Sequence, residues 1–319
     1  MRHHLLIASG LLGACYHDAG GGAARPPDNT AGARSSRGLD VSATIADPLG
    51  FLPIDSEVVV SLDADQLRGS ELWRQFEPSL LAKAGSDLAR FKALCGFDPI
   101  TSIRGLTVGM KHVGQVNPDG VFVVHGVDRA RMLACVGNVS SSEPGVTVDN
   151  GVVTAHASKD DPNVVVFQFV DASTAVCLVG PSATKELLAR VVRGGAPLRG
   201  SPSFLAMLSL IDTQAALWGL VNGNSHVFDK TAGMGVKPKA VFGFLGLSDG
   251  LAMTLRMRLE TAQEATSFVT LAQGQLGAAK MFFDKLEVTA DDTDVVVGVG
   301  MTPAQVQMLA GLLGGSLGP

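Results

Sequence analysis

The chain has 319 residues and a formal net charge of −5, with 25 Lys and Arg and 30 Asp and Glu residues spread without long blocks. It contains no basic stripe or Lys/Arg cluster, so the composition argues against a nucleic-acid partner. Aromatic residues make up only 5%, which is little material for a surface that stacks sugars. The length is sufficient for a sizeable core.

The first fifteen residues have the order of a secretory signal: a basic start, a short apolar run over residues 5–12, and small residues before Cys15. The apolar run is shorter than the roughly 20 residues that span a bilayer. Residues 12–15, Leu-Gly-Ala-Cys, resemble a bacterial lipobox, which implies that Cys15 receives a diacylglyceryl group and becomes the mature N-terminus. The next residue is Tyr16 rather than the Asp associated with inner-membrane retention. We therefore expect a lipid-anchored protein of the cell envelope, in the outer membrane, facing the periplasm or the cell surface.

Residues 16–50 are predicted to be a flexible tether. This stretch includes three consecutive glycines, a Pro-Pro pair and scattered charges, so it contains too little apolar surface to order itself. A tether of this length would let the following domain lie away from the bilayer surface.

Residues 51–195 are predicted to form a first α+β subdomain. After a strand over residues 57–62, apolar residues three or four apart predict one helix face from Trp73 to Cys95, which Pro78 should break or kink and Gly96 should end. The expected strands and helices that follow are strands 103–110, 120–125, 146–148, 152–156, 164–170 and 175–179, and helices 128–136 and 182–192. This order is typical of the start of a split βαβ, ferredoxin-like unit.

Residues 196–319 are predicted to repeat this order in a second subdomain. The expected elements are strands 215–221, 240–247, 251–259, 286–289 and 295–300, and helices 261–285 and 302–313. The letters Leu-Arg-Gly-Ser at residues 67–70 recur at residues 198–201, and the Gly- and Pro-rich stretch 193–202 marks the boundary. We therefore expect an α+β fold of two related subdomains, each a mainly antiparallel sheet with helices on one face.

The four cysteines are Cys15, Cys95, Cys135 and Cys177. Export permits disulfides. Cys95 and Cys135 each end a predicted helix, and in a split βαβ unit the two helices run parallel on one sheet face, so their C-termini meet. This predicts a Cys95–Cys135 disulfide. Cys177 lies in an apolar strand and is expected to be a buried, inert thiol.

Three stretches carry a resemblance to a known group of proteins: residues 52–60 (Leu-Pro-Ile-Asp-Ser-Glu-Val-Val-Val), residues 67–73, and residues 95–99 (Cys-Gly-Phe-Asp-Pro). Together they resemble an uncharacterised family of exported bacterial lipoproteins. The resemblance implies an envelope address and is compatible with the disulfide, but it implies no activity and no ligand.

Patterns for catalytic, cofactor or metal sites are weak. Residues 295–300 (Val-Val-Val-Gly-Val-Gly) have two glycines of a dinucleotide fingerprint but lack the third. The acidic turn at residues 291–294 lacks the glycine and the terminal Glu of an EF-hand loop. The histidines of the predicted domain are isolated from one another: His112, His125, His156 and His226. We therefore assign no catalytic residue, no cofactor and no metal.

The resulting hypothesis is a lipid-anchored envelope protein with a non-enzymatic binding or scaffolding role, whose partner is an envelope protein or an apolar ligand. Two alternatives stay open. A periplasmic carrier of an apolar ligand or lipid would place Val, Leu and Met on a concave face. A hydrolase with a dispersed site would place a His near a Ser or an Asp in a cleft.

Overall fold

The structure, a computed structural model, describes residues 47–141, 145–156, 162–229, 237–277 and 279–314. Cys15, the signal segment and the tether up to residue 46 lie outside the described residues. The last residues assigned to the tether belong to the folded body. Pro48–Gly50 is a 3-10 turn capped by Asp47, and the side chain of Leu49 is buried.

The described residues contain twelve strands of one sheet. Their bounds are β1 Val58–Asp63, β2 Gly105–Lys111, β3 Asp119–His125, β4 Val146–Asp149, β5 Val152–His156, β6 Val164–Phe169, β7 Thr174–Gly180, β8 Leu217–Asn222, β9 Ala240–Gly246, β10 Leu251–Arg258, β11 Lys285–Asp291 and β12 Asp294–Met301. The α-helices are α1 Ala64–Gly69, α2 Glu71–Cys95, α3 Pro99–Ser102, α4 Arg129–Ser140, α5 Lys185–Val192, α6 Pro202–Leu208, α7 Ala262–Gln275 and α8 Pro303–Gly314. The predicted α+β class with a mainly antiparallel sheet is confirmed.

The strand order is β11-β12-β10-β9-β8-β1-β2-β3-β7-β6-β5-β4. Every pair between the described strands is antiparallel. The expected split βαβ element requires parallel strands around a third strand. That expectation is wrong here, because β1 and β2 pair directly and antiparallel although three helices separate them along the chain.

The order of strands repeats around the central β1–β8 pair. Outward from this pair, β1-β2-β3-β7-β6 on one side matches β8-β9-β10-β12-β11 on the other. In the first half, α4 follows β3, the β6–β7 hairpin returns so that β7 pairs with β3, and α5 comes next. In the second half, α7 follows β10, the β11–β12 hairpin returns so that β12 pairs with β10, and α8 comes next. The repeated Leu-Arg-Gly-Ser letters do not occupy equivalent places, since residues 67–70 follow β1 whereas residues 198–201 precede β8.

Helices cover both faces of the sheet, not one. On β3, Val121 and Val123 belong to a core cluster with α5, α6 and the segment 49–52, on what we call the back face. Phe122 and Val124 point the opposite way, into a cluster with α2 and α4, on the front face. The strand register carries this front face across to β12, where Val295 packs against α7 in a third cluster. A sheet with apolar residues on both sides of its strands needs cover on both sides.

Most predicted helix ends are close to the observed ones, with two corrections. Helix α2 continues through Pro78 instead of breaking there. Pro78 and Arg74, whose carbonyl oxygen loses its helical partner, are both exposed, so water can satisfy that oxygen. The helix expected over residues 261–285 ends at Gln275, near two glycines that disfavour helix. Gly96 ends α2 with a left-handed φ of 72°, as expected.

The Cys95–Cys135 disulfide is present, with the two Cα atoms 4.5 Å apart. The predicted reason for it was wrong. Helix α4 runs on to Ser140, so Cys135 lies in the middle of that helix and meets the last residue of α2. Cys177 is buried in β7 outside this disulfide, with its sulfur 3.8 Å from the carbonyl oxygen of Leu178.

The front face has a half-open apolar floor in the middle of the sheet, which we call the central strip. Its residues form two rows across β1, β8, β9 and β10: Val60, Gly219, Gly243 and Leu255, and beside them Leu62, Leu217, Leu245 and Met253. Val60 and Leu255 each keep 36% of their surface exposed, and the second row is half-buried. The strip lies between the cluster under α2 and α4 and the cluster under α7.

Candidate functional site

The back face carries a cleft of about 400 Å³ beside helix α5. Its walls are the segment 50–55, the adjoining ends of β2, β3 and β7, helix α5 and the segment 195–197. These six walls come from separate parts of the sequence, so no local sequence pattern predicted the cleft. The volume lies within the range of small-molecule pockets, about 300–1,000 Å³.

The interior of the cleft is mainly apolar. Phe51 and Leu52 line one side, Val121 and Leu178 form the sheet floor, and Leu187 lies on the helix wall. The sheet floor is firmly placed, since Val121 and Leu178 belong to the back-face core cluster. A mostly apolar pocket with a few convergent polar groups is the usual form of a ligand site.

One end of the cleft is built around the Asp119 carboxylate. Its Oδ1 accepts a hydrogen bond from the backbone N–H of Ser182 at 3.0 Å, and its Oδ2 accepts one from the Ser182 hydroxyl at 2.9 Å. The Nδ1 atom of His112 lies 3.4 Å from the same Oδ2. Gly180 approaches this carboxylate so closely that a Cβ there would come within 2.4 Å of Oδ1. Asp119 therefore fixes the turn between β7 and α5 as well as lining the cleft.

The remaining charged groups of the cleft are Asp55, Lys111 and Arg190. Lys111 donates to Asp55 at 2.5 Å, so these two charges compensate one another. The side chain of Arg190 makes no hydrogen bond or ion pair with any residue of the described ranges, whereas its backbone carbonyl accepts from the N–H of Gly195. Its side chain is exposed on α5, beside Leu187 and Val191, which also line the cleft.

The His112, Asp119 and Ser182 side chains are the residue types of a serine hydrolase, but in a different order. In a catalytic triad the serine hydroxyl gives its proton to the histidine, and the aspartate orients that histidine from the far side. Here the carboxylate stands between the other two, and the hydroxyl of Ser182 donates to Asp119. The proton that a base would have to remove is held by a carboxylate, which does not prepare the hydroxyl for attack.

The other three histidines of the sequence analysis lie outside the cleft. His125 Nδ1 is 3.1 Å from the Thr174 hydroxyl at the far end of β3. His226 Nδ1 is 2.7 Å from an Asp229 carboxylate oxygen on the surface. His156 is exposed at the end of β5. Burial lowers the pKa of His125, and the charge of Asp171 opposes part of that shift.

Nowhere in the described ranges do three His, Cys, Asp or Glu side chains come close enough together to hold a metal ion. No helix within the same ranges combines the length and the apolar character needed to cross a bilayer. The disulfide belongs to the front face, on the opposite side of the sheet from the cleft.

Sequence reasoning noted His112 as an isolated histidine and gave Asp119 no role. Ser182 and Arg190 fell within a predicted helix, Asp55 fell within a stretch that carries the family resemblance, and Lys111 was given no role. His112, Asp119 and Ser182 come together only through the pairing of β2 with β3 and of β3 with β7. Comparison with protein-family models, curated proteins and solved structures found no match to this chain, so any function assigned to the cleft rests on the residues that build it.

Proposed function

We propose that this protein is a lipid-anchored envelope protein with a non-enzymatic binding role, and that the cleft beside α5 takes its ligand. The observation that carries the proposal is the cleft itself: about 400 Å³, with an apolar interior and polar groups at its ends. Apolar walls supply affinity by removing ligand surface from water, and a few polar groups fix the orientation of the ligand.

A binding role is favoured over hydrolysis by the polar end of the cleft. The hydrogen bonds of Ser182 tie the β7–α5 turn to β3, which is a structural use of a serine and an aspartate. A wall fixed in this way suits a preformed pocket, because binding a ligand then costs little conformational entropy of the protein.

The experiment uses the whole chain carrying Cys15→Ser, so that no detergent competes for the cleft. Native mass spectrometry looks for a retained small molecule, and fluorescence titration measures binding of the amphiphilic probe 11-(dansylamino)undecanoic acid. Leu187→Trp fills the cleft and should abolish both signals. Leu205→Trp is the control, because Leu205 is 39% exposed on α6 and does not line the cleft. Equal binding by the two variants, or none by the parent, would overturn the proposal.

The envelope address rests on the signal-like segment that ends at Cys15 and is tested separately. Cys15→Ser in the native host should leave the protein unlipidated and move it out of the membrane fraction. Sedimentation of the variant with the membranes, as for the unchanged protein, would contradict the lipid anchor.

A second candidate function is a carrier of an apolar ligand or lipid, and the central strip favours it. Apolar side chains left half-exposed in the middle of a sheet are unusual, because a soluble domain normally covers such a surface. Gly219 and Gly243 have no side chains to project above the sheet, so the surface between Val60 and Leu255 is recessed, and neither row contains a charged side chain.

The carrier alternative is tested by lipid extraction of the purified protein and of Leu255→Lys. A charge in the floor should remove a bound neutral lipid, whereas Leu271→Lys, at a residue 66% exposed on α7, should leave it in place. Lipid content unchanged by Leu255→Lys would contradict the carrier role of the strip.

A further inference from the structure

We propose that the ligand of the cleft is an anionic amphiphile: an apolar chain that lies on the cleft floor and a carboxylate or phosphate group that pairs with Arg190. This inference rests on the proposed binding role of the cleft and names the chemical class of its ligand. It follows from the charges of the lining residues and from their positions along α5.

The charges of the cleft lining are compensated except at Arg190. Asp55 and Lys111 neutralise one another at 2.5 Å. Asp119 accepts two hydrogen bonds from Ser182 and has His112 beside it. Arg190 has no acidic partner in the described part of the chain. A guanidinium presents paired donors that match a carboxylate or phosphate, so an anion at this place would gain charge-assisted hydrogen bonds.

The cationic end and the Asp119 end of the cleft are well separated. Ser182, which binds Asp119, precedes the first turn of α5, and Arg190 lies in its last turn. With a rise of about 1.5 Å per residue, the two ends are on the order of 10 Å apart along the helix. The negative charge of Asp119 is therefore about one screening length away from an anion bound at Arg190.

The surface next to Arg190 is apolar. Leu187 and Val191 flank it on the same side of α5, and Leu178, Val121 and Leu52 continue the lining away from it. A ligand that satisfies the guanidinium and also fills the cleft needs an anionic group at one end and a hydrocarbon body behind it.

The test compares two probes that differ only in charge: 11-(dansylamino)undecanoic acid and its methyl ester, titrated into the whole chain carrying Cys15→Ser. Arg190→Gln should weaken binding of the acid about tenfold, the effect of losing one charge-assisted interaction, and leave binding of the ester unchanged. Arg193→Gln removes the same charge one turn further on, outside the cleft lining, and should change neither affinity. Rising salt concentration should weaken binding of the acid more than binding of the ester.

Several outcomes would overturn the inference. One such outcome is equal affinity for the acid and the ester, and another is a loss of acid binding in Arg193→Gln as large as in Arg190→Gln. In either case the cleft binds amphiphiles whatever their charge, so the inference fails while the proposed binding function stands. If neither probe binds, or if Leu187→Trp leaves both affinities unchanged, the proposed function fails together with the inference.

The source of the anion is distinguished by displacement of the dansyl probe. Dodecanoate and dodecyl phosphate present a carboxylate and a phosphate on the same hydrocarbon chain. Stronger displacement by dodecanoate indicates a fatty-acid type of ligand, and stronger displacement by dodecyl phosphate indicates a phospholipid type. Displacement by dodecanol as strong as by either anion would contradict the pairing with Arg190.

Discussion

The buried carboxylate of Asp294 allows a sharp test of how the second half of the sheet is held together. Asp294 is 2% exposed at the start of β12. Its Oδ1 accepts from Arg258 Nε at 2.8 Å and its Oδ2 from Arg258 Nη2 at 3.0 Å, a two-pronged contact between β12 and β10. Arg256 Nη1 donates to the same Oδ2 at 3.3 Å. The Arg258 guanidinium also lies over the ring of Phe242, 5.2 Å from its centre.

Asp294→Ala would leave two partly buried cations without this counter-charge. Removing one partner of a fully buried ion pair costs about 3–5 kcal/mol. The side chain of Arg258 keeps 28% of its surface exposed, and Arg256 keeps its contact with Asp291 at 2.8 Å. We therefore expect the low end, a loss of about 3 kcal/mol in the free energy of unfolding. The hydrogen bonds that Arg258 donates to the Asp294 carboxylate raise the pKa of Arg258. This contribution is therefore complete at neutral pH and is lost as the pH rises through the raised pKa of Arg258.

The assay is urea unfolding followed by circular dichroism at pH 7, with Asp291→Ala as the matched control. Asp291 contacts the same Arg256 from the surface, where its side chain is 62% exposed, so its loss should cost less than about 1 kcal/mol. If Asp294→Ala unfolds within 1 kcal/mol of the unchanged protein, or if the two variants are equally destabilised, the reasoning about the buried carboxylate is refuted.

Three further predictions concern the disulfide, a buried histidine and a crowded glycine. Replacing both Cys95 and Cys135 by Ala should lower the free energy of unfolding by about 4 kcal/mol, from the chain-entropy effect of their 40-residue separation, and urea unfolding with an unchanged midpoint would contradict this. Burial lowers the pKa of His125, so below about pH 6.5 the unfolded state binds a proton that the folded state does not, and stability should fall with falling pH. His125→Gln should reduce that fall in a series of thermal melts at different pH values. An identical pH profile for the variant and the unchanged protein would count against this prediction. Gly243→Ala would place a Cβ 2.1 Å from a backbone oxygen of the adjacent strand and should lower the free energy of unfolding by at least about 2 kcal/mol. Gly137→Ala is the control, because a Cβ at this helical position would have nothing within 4 Å, and it should be neutral or stabilising. Equal melting temperatures of the two variants would refute the crowding argument.

Sequence reasoning located the strands better than it arranged them. The strands on either side of Asn150 and Gly151 lie close to their predicted bounds, because a short apolar run and a two-residue turn with positive φ are local features. The pairing of β1 with β8 was not predictable, since the two strands lie far apart in the sequence and both are apolar. The ferredoxin-like arrangement expected from the sequence has helices on one face only, so the helix layer on the back face was not predicted.

The candidate site shows the same limit. His112 was noticed as a residue type, but its neighbour Asp119 becomes a neighbour only through the β2–β3 hairpin, and Ser182 joins them through the β3–β7 pairing. Arg190 carries no signal in the sequence, because an exposed arginine on a short helix is ordinary. Its importance comes from the absence of an acidic partner within the described ranges, which only the folded arrangement reveals. The disulfide was predicted correctly from an arrangement of helices that the structure does not have.

The central β1–β8 pair suggests how a sheet of this width can arise. Either half by itself would end in an open edge, β1 in the first and β8 in the second, with a row of unpaired N–H and C=O groups. Two copies of an ancestral half would satisfy those edges by pairing across a two-fold axis, as in an isologous dimer. Gene duplication and fusion would turn that contact into an intramolecular one, so that its formation no longer depends on protein concentration. If β1 and β8 fail to pair during folding, both are left as open, aggregation-prone edges at the centre of the molecule.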